Sequence, residues 1–224
     1  MKIVIGLSGG MDSTTLLATL LDQEHQIHCC IFHYGSKHNK WENEAAGTII
    51  SYYEKRGFHI PRHIINLTPA MLEFKSALLL TGPSIPEGYY EAESMRQTVV
   101  PGRNMIMAAV MAGLAESVGA DAIALGVHRG DHHIYPDCRK EFIKALDSAV
   151  YLSSNHAVEV LAPLMEDTKL SILEKGKQCK LPVPYHLTRT CYKDQEKACG
   201  KCGSCTERLE AFSDLGMTDP VEYE

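Results

Sequence analysis

The stretch VIGLSGGMDSTTLL, residues 4–17, begins as an apolar strand and ends as a helix, with two glycines, two serines and an aspartate at the joint. A chain that turns from strand straight into helix in this way is committed to an α/β architecture, and the joint then falls where such folds bind ligands. Phosphate is the natural guest, because glycines let backbone N–H groups approach an anion and a helix N-terminus carries partial positive charge. The familiar phosphate loops do not fit. A Walker A loop needs lysine and then Ser or Thr after its second glycine, whereas Gly10 is followed by Met11, Asp12 and Ser13. The dinucleotide fingerprint needs three glycines at fixed spacing. Read locally, the alternative is a tight turn with Asp12 or Ser13 as helix N-cap.

The rest of the chain continues the rhythm. Apolar runs at 2–7, 27–34, 63–67, 121–127 and 157–163 read as strands, and helix-like stretches at 13–23, 43–56, 104–118 and 168–179 alternate with them. The pattern predicts an α/β fold: a five-stranded, mostly parallel sheet with helices on both faces and ligands at the carboxyl ends of the strands. Two stretches break it. Residues 73–101 carry Gly82, Pro83, Pro86, Gly88 and Pro101 among polar residues and read as an insertion or lid over the site. From Pro182 onward no strand is apparent. The expected organisation is an α/β domain over 1–181 followed by a small C-terminal metal-binding region over 182–224.

Composition narrows the class. An apolar fraction of 45% and a charged fraction of 22% over 224 residues are those of an ordinary globular protein. A net charge of -6 argues against a broad nucleic-acid or anionic-membrane surface, while leaving room for a local basic pocket. No signal precedes the first strand, and the longest apolar run, at 105–115, is too short to span a bilayer, so a cytoplasmic location without membrane contact is expected.

Of eight cysteines, four are crowded into CYKDQEKACGKCGSC as Cys191, Cys199, Cys202 and Cys205. In a chain of this kind such a cluster reads as a metal site rather than a disulfide scaffold. Four thiolates complete the tetrahedral preference of Zn²⁺ and leave no position for water, so the expected zinc is structural, with a disulfide or free-thiol arrangement and an iron–sulfur or redox centre as the alternatives. Gly200 and Gly203 are expected to curl the backbone so that N–H groups face the sulfurs. Cys29, Cys30, Cys138 and Cys179 lie in or beside apolar segments, where buried thiols are expected for at least three of them.

With LSGGMDS at 7–13, IPEGYYEAESMRQTVVPGRN at 85–104, GVHRGDHHIYPDCR at 126–139, PLMEDTK at 163–169 and the terminal cysteines in view, the chain resembles the 7-cyano-7-deazaguanine synthases of queuosine biosynthesis. That family belongs to the PP-loop, or N-type ATP pyrophosphatase, superfamily, whose sheet is adenine nucleotide α-hydrolase-like. The loop alone specifies the superfamily; YPDCR and the four-cysteine tail point to the family. The resemblance implies ATP bound on Leu7, Ser8, Gly9, Gly10, Met11, Asp12 and Ser13, with Asp12 orienting the loop or helping to hold Mg²⁺. It also implies catalytic roles for Asp12, Ser13 and Lys169, the last matching a superfamily lysine near the pyrophosphate; a capping or surface lysine is the alternative. The implied substrates are 7-carboxy-7-deazaguanine and ammonia, converted through an acyl-adenylate and an amide to the nitrile with release of AMP and pyrophosphate. Arg103 and Asn104, at a helix N-terminus, and Asp131, Tyr135, Asp137 and Arg139, after the fourth strand, are the implied substrate contacts. Asn104 as a helix cap with Arg103 in a surface ion pair, and ordinary turn chemistry for the aspartates, are the competing readings. The family's usual pattern has asparagine where this chain has Gly102, so side-chain contacts there are not carried over. His128, His132 and His133 could form a metal trio, but solvated or pocket-lining roles suit them better.

Rival functions are a related adenylating enzyme that stops at the amide or acts on another substrate, and a nucleotide-binding zinc interaction module. Thiolation of tRNA would call for a basic tract that this chain lacks, and no direct nucleic-acid partner is expected. A glutaminase domain has no room, so ammonia would come from solution or a separate protein. Subunit pairing is common in the family, and a homodimer is a possible arrangement.

Overall fold

A computed structural model describes residues 1–224. Strand β1 (Lys2–Gly6) leads through the glycine loop into α1 (Met11–Asp22), and β2 (Gln26–His33) into α2 (Asn39–Glu54). After β3 (Arg62–Asn66) come the short α3 (Thr68–Met71), an irregular segment, and α4 (Arg103–Val118). Then follow β4 (Ala122–Ala124), α5 (Lys140–Ser153), β5 (Glu159–Leu161), α6 (Lys169–Gln178) and α7 (Gly203–Asp214).

The five strands lie in the order β3-β2-β1-β4-β5, and all four pairings are parallel. Chain order reverses between β1 and β4, so the crevice beyond their carboxyl ends is the position where a sheet of this kind receives a ligand. Period-2 alternation divides the core. Ile3 and Ile5 pack with Ile27, Cys29 and Ile31 under α1, α2 and α6, whereas Val4 and Cys30 face Ala108 and Met111 of α4. Both faces are covered, which is why the strands read as nearly continuous apolar runs.

Helices α5 and α7 lie in segments for which the sequence pattern predicts no element. In α5, Ile143, Leu146 and Val150 are the buried positions, a three-to-four spacing that a helix needs. Cys29, Cys30 and Cys138 are buried thiols, and burial pushes Cys30 up to about 12. Residues 73–101 contain a 3₁₀ helix (Glu93–Thr98) and are tied down at both ends. Lys37 N–H donates to Leu78 O (2.8 Å) and Gly88 N–H to Lys201 O (2.9 Å). At Gly82 any side chain would collide with Ser76 O, 1.7 Å from an ideal Cβ. No helix is long and apolar enough to cross a membrane.

Candidate active site

The loop between β1 and α1 owes its shape to Gly9, which has φ +78 and lies so close to α2 that a Cβ would fall 2.7 Å from Ala45 Cβ and 2.9 Å from Glu42 O. Its carbonyl accepts from Arg189 N–H (2.7 Å). Gly10, in extended conformation, occupies the N-cap position of α1, and no side chain caps that helix. The reading of Asp12 or Ser13 as N-cap is therefore corrected: both lie inside the first turn. Ser13 Oγ and Ser8 Oγ are 3.1 Å apart, and Thr14 Oγ1 donates to Gly10 O (2.7 Å). The first-turn N–H groups are left without side-chain partners, which is the arrangement that receives an oxyanion.

These residues form one end of a cavity of about 240 Å³ at the switch point. Leu7, Ser8, Gly10, Asp12, Ser13, Arg103, Asn104, Asp131 and Lys169 line it, all of them singled out in the sequence. Gly9 and Met11 do not; Met11 is buried beneath the loop against Leu173, Tyr185 and Phe212.

Lys169, the first residue of α6, is 6% exposed. Thr168 and Ser171 cap that helix, so the lysine is neither cap nor surface group. Its Nζ donates to Asp12 Oδ2 (2.7 Å), lies 3.0 Å from His128 Nε2 and pairs with Glu207 Oε2 at 3.2 Å. Burial would push the Lys169 amine down, but Asp12 and Glu207 outweigh it and hold the amine above its ordinary range. Burial would likewise raise the Asp12 carboxyl, yet Lys169 and then His128 bring it below its usual value. Burial pushes the Glu207 carboxyl up, against the pull of Lys169. His128 is buried, accepts from Gly130 N–H at Nδ1 (3.1 Å), and its backbone N–H donates to Asp131 Oδ2 (3.1 Å). His132 touches Met165 Sδ and His133 is exposed, so the three histidines do not converge on a metal.

Arg103 and Asn104 open α4 behind Gly102, whose φ of +62 lies in the left-handed region that glycine and asparagine tolerate. Arg103 makes only a long contact with Tyr34 OH (3.5 Å), and its guanidinium is 5.8 Å from that ring. Asp137 is not in the cavity wall. Its Oδ2 accepts from Asn104 N–H (2.9 Å), placing a carboxylate at the α4 N-terminus, while Asn104 Nδ2 donates to Asp137 O (3.2 Å) and Cys138 Sγ (3.1 Å). Tyr135 is buried and shares a hydrogen bond with Thr98 Oγ1 (2.7 Å), bracing the 73–101 segment. Arg139 is exposed and donates from Nε to His132 O (2.9 Å). The structure brings Arg103, Asn104 and Asp131 to the cavity and leaves Tyr135, Asp137 and Arg139 outside its wall.

Several lining residues are not among those singled out in the sequence: Tyr34 just after β2, His38, Glu42 and Asn43 at the start of α2, Tyr90 from the 73–101 segment, and Arg189, Thr190, Tyr192 and Ser204 from the C-terminal region. Tyr90 OH donates to Asp131 Oδ1 (2.9 Å), so the inserted segment supplies part of the cavity wall. His38 and Glu42, 3.4 Å apart, are an i,i+4 pair just past a strand's carboxyl end, a signal that was available. Asp12 Oδ1, His38 Nδ1, Asn43 Oδ1 and Arg189 Nε are buried without a hydrogen-bond partner, and all four residues line this cavity. Unsatisfied buried polar atoms gathered in one wall mark a site that a polar ligand completes.

The four cysteines are buried, and their sulfurs all lie within 4.8 Å of one another. Cys199 Sγ and Cys205 Sγ are 3.9 Å apart, too far for a disulfide and close to the roughly 3.8 Å between ligands of a tetrahedral Zn–S₄ centre. Cys199 Sγ accepts from the N–H groups of Lys201 (3.4 Å) and Cys202 (3.3 Å), across a turn in which Gly200 has φ +66. Gly203 has a different role from the expected one: it lets Met95 and Tyr90 approach, with Met95 Sδ 2.9 Å from an ideal Cβ. Hydrogen bonds from Cys202 and Cys205 push the Cys191 thiol down, and Cys202 is pushed up to about 12 in return. Four thiols so close cannot all ionise without a cation between them, and the cluster fits a zinc ion.

The family model described as "Queuosine biosynthesis protein QueC" matches residues 2–216. The chain is 45% identical over 224 residues to the 7-cyano-7-deazaguanine synthase of Caldicellulosiruptor bescii, covering 100% of this chain and 98% of the relative. It is 43% identical to that of Methanoregula boonei, covering 100% of both. Among solved structures it is similar to a 4-thiouridine synthetase in complex with RNA and bound ATP (TM-score 0.54, 24% identity, 96% of this chain and 51% of that one). It is also similar to the U34-tRNA thiolase NcsA from Methanococcus maripaludis (TM-score 0.50, 15% identity, 96% and 66%). These likenesses show the fold: a parallel five-stranded sheet of the adenine nucleotide α-hydrolase-like type with helices on both faces.

Proposed function

The chain belongs to the QueC family of queuosine biosynthesis, and from that premise we propose that it is an ATP-dependent ligase converting 7-carboxy-7-deazaguanine and ammonia to 7-cyano-7-deazaguanine. The observation that carries the reading is the uncapped α1 N-terminus beside Asp12 and Lys169, a phosphate cradle that lacks the Walker lysine. A carboxylate resists nucleophiles because its charge repels them, and adenylation removes that charge. In the proposed first round the acid oxygen attacks the α-phosphorus of ATP and pyrophosphate leaves. Ammonia then attacks the acyl carbon, a proton is lost, and AMP departs with the acid oxygen. In the second round the amide oxygen attacks another ATP, and loss of AMP with the remaining nitrogen protons gives the nitrile.

The chain's own residues divide this work. Ser8, Gly9, Gly10 and Ser13 shape the loop that receives the phosphates, and Lys169 stabilises charge building on the departing pyrophosphate. Asp12, with its unpartnered buried Oδ1, is the residue that would hold Mg²⁺, an ion that supplies further positive charge at the leaving group. Arg103 is the substrate carboxylate's partner, since its guanidinium makes only the long contact with Tyr34. Asn104 and Asp131 are polar contacts for the deazaguanine, and Asp137 fixes Asn104. Cys191, Cys199, Cys202 and Cys205 would hold Zn²⁺, which supplies local folding energy. Tyr192 and Ser204 on that knuckle face the cavity, so the C-terminal region contributes to substrate binding as well.

The test is turnover. Purified protein with ATP, Mg²⁺, ammonium and the deazaguanine acid is expected to yield AMP, pyrophosphate and the mass of the nitrile. Accumulation of the amide alone would move the assignment to an amide-forming relative. AMP without change in the acid would point to a different acceptor, and no AMP would end the ligase reading.

A further inference from the structure

Lys169 is approached by carboxylates from two separate parts of the chain. Asp12 comes from the phosphate loop, 2.7 Å away, and Glu207 from α7, 3.2 Å away. We propose that Glu207 is a positioning residue for Lys169, through which the cysteine knuckle sets the geometry of the phosphate site. The inference rests on the ligase reading above and adds a residue to it.

Glu207 is two residues beyond Cys205, on the first turns of the helix whose N-cap is Cys202. Its side chain is 15% exposed. Its Oε2 has no hydrogen-bond partner, so its close polar neighbour is the lysine ammonium. On the other side the 3₁₀ turn Arg129–His133 closes against the carboxylate: a Cβ at Gly130 would lie 2.6 Å from Glu207 Oε1. The carboxylate is thus packed between the Gly130 backbone and the amine it faces.

The docking of α7 does not require that charge. Phe212 packs with Met11, Leu173 and Tyr185. Arg208 is 1% exposed, is bonded by Asp219 through Nε (2.7 Å) and Nη2 (2.9 Å), and donates to Thr188 Oγ1 (2.6 Å) and Tyr185 O (3.1 Å). A glutamate aimed at Lys169 is therefore surplus to the packing of its helix. What it does is oppose Asp12. Asp12 already holds the ammonium at 2.7 Å from the loop side, and Glu207 adds a second carboxylate from the side of α7 at 3.2 Å. With carboxylates on two sides it stays charged and between them, where negative charge develops as pyrophosphate leaves. A carboxylate near the phosphates also repels bound ATP, so ground-state affinity gains little and the benefit falls on turnover.

The experiment compares E207Q and E207D with the wild type, each in the Lys169 and the K169A backgrounds, reading metal content, melting temperature, and kcat and KM for ATP. E207Q is expected to keep its metal and its melting temperature, to lose roughly 10- to 100-fold in kcat with KM for ATP changed by less than about threefold, and to lose nothing further in K169A at high enzyme concentration. E207D, which keeps the charge but withdraws it by one methylene, is expected to lose less. Unchanged kcat in E207Q overturns the proposal, as does the same fold loss in both backgrounds, since the residue would then not act through Lys169. Should E207Q fail to fold, the same cycle is read on E207D. A wild type that forms no AMP from the deazaguanine acid sinks the ligase reading; an active wild type with an equally active E207Q sinks only this inference.

Discussion

The phosphate loop and the cysteine knuckle are both short turns punctuated by glycine, and each opens a helix, yet they are held in opposite ways. The loop is closed by the protein's own contacts: the Ser8–Ser13 hydroxyl pair, Thr14 on Gly10 O, and Gly9 wedged against α2. What it leaves open are first-turn N–H groups and one oxygen of Asp12, the valences of a transient ligand. The knuckle brings four thiols together with no cation of the protein among them, and its hydrogen bonds only begin to offset the charge. On the proposed zinc reading, a permanent ligand stabilises it. A site that turns over is built rigid and left empty of partners; a site that stays filled can leave its geometry to the metal.

This contrast predicts that damage to the two regions separates chemistry from folding. The largest effect is expected for D12N, which keeps the shape of the loop and removes its charge. AMP formation should fall by about 100-fold or more, with metal content and melting temperature retained. A D12N enzyme of near wild-type rate would break the comparison. C202S should act in the opposite order: metal content falls first, the thermal midpoint drops by about 10 °C or more, and the activity lost follows the fraction unfolded. Turnover stopped with metal and melting unchanged would remove the structural role of the knuckle.

A smaller effect sharpens the picture of the buried pair. Asp12 has a folded-state pKa below its unfolded value of 3.8, so its contribution to stability is present above that pH and is lost as pH falls through the depressed value. Lys169 is raised above 10.5, so its contribution is present below that pH and is lost as pH rises through the raised value. Stability from this pair is therefore flat across the neutral range. D12N should remove its acid limb, read as the melting temperature below about pH 4. An acid limb identical in D12N and wild type would show that the pair does not couple to folding. The smallest effect is expected at Asp137. As the carboxylate on the α4 N-terminus its removal in D137A should cost about 1 kcal/mol in a denaturant titration, with KM for the deazaguanine acid within about twofold. A KM raised tenfold with stability unchanged would restore the substrate contact suggested by the sequence.

How much could be read in advance follows from how local each feature is. The strand-loop-helix joint, the five strands and the four cysteines are each written in a contiguous run, by alternation, glycine placement or C-x-x-C spacing, and they were legible. The segment 126–139 follows the carboxyl end of β4 as expected, but side-chain direction is not local: Asp137 turns to the free N–H at the start of α4, and Arg139 turns to His132 O. Glu207, Tyr192 and Arg189 were invisible for the same reason, since the docking of α7 and its preceding loop against α1 and α6 carries them to a site begun by residues 7–13. His38 and Glu42 carried a readable i,i+4 signal whose meaning depended on knowing that α2 starts beside the phosphate loop.

The central claim is that the loop after β1 directs adenylate onto an unreactive acid, and the most direct measurement follows the oxygens of that acid. With its carboxylate labelled with oxygen-18, turnover in the presence of ATP, Mg²⁺ and ammonium should place one labelled oxygen in each AMP released, leave pyrophosphate unlabelled and yield a nitrile free of label. AMP that never carries the label, while the acid is consumed, would contradict the account.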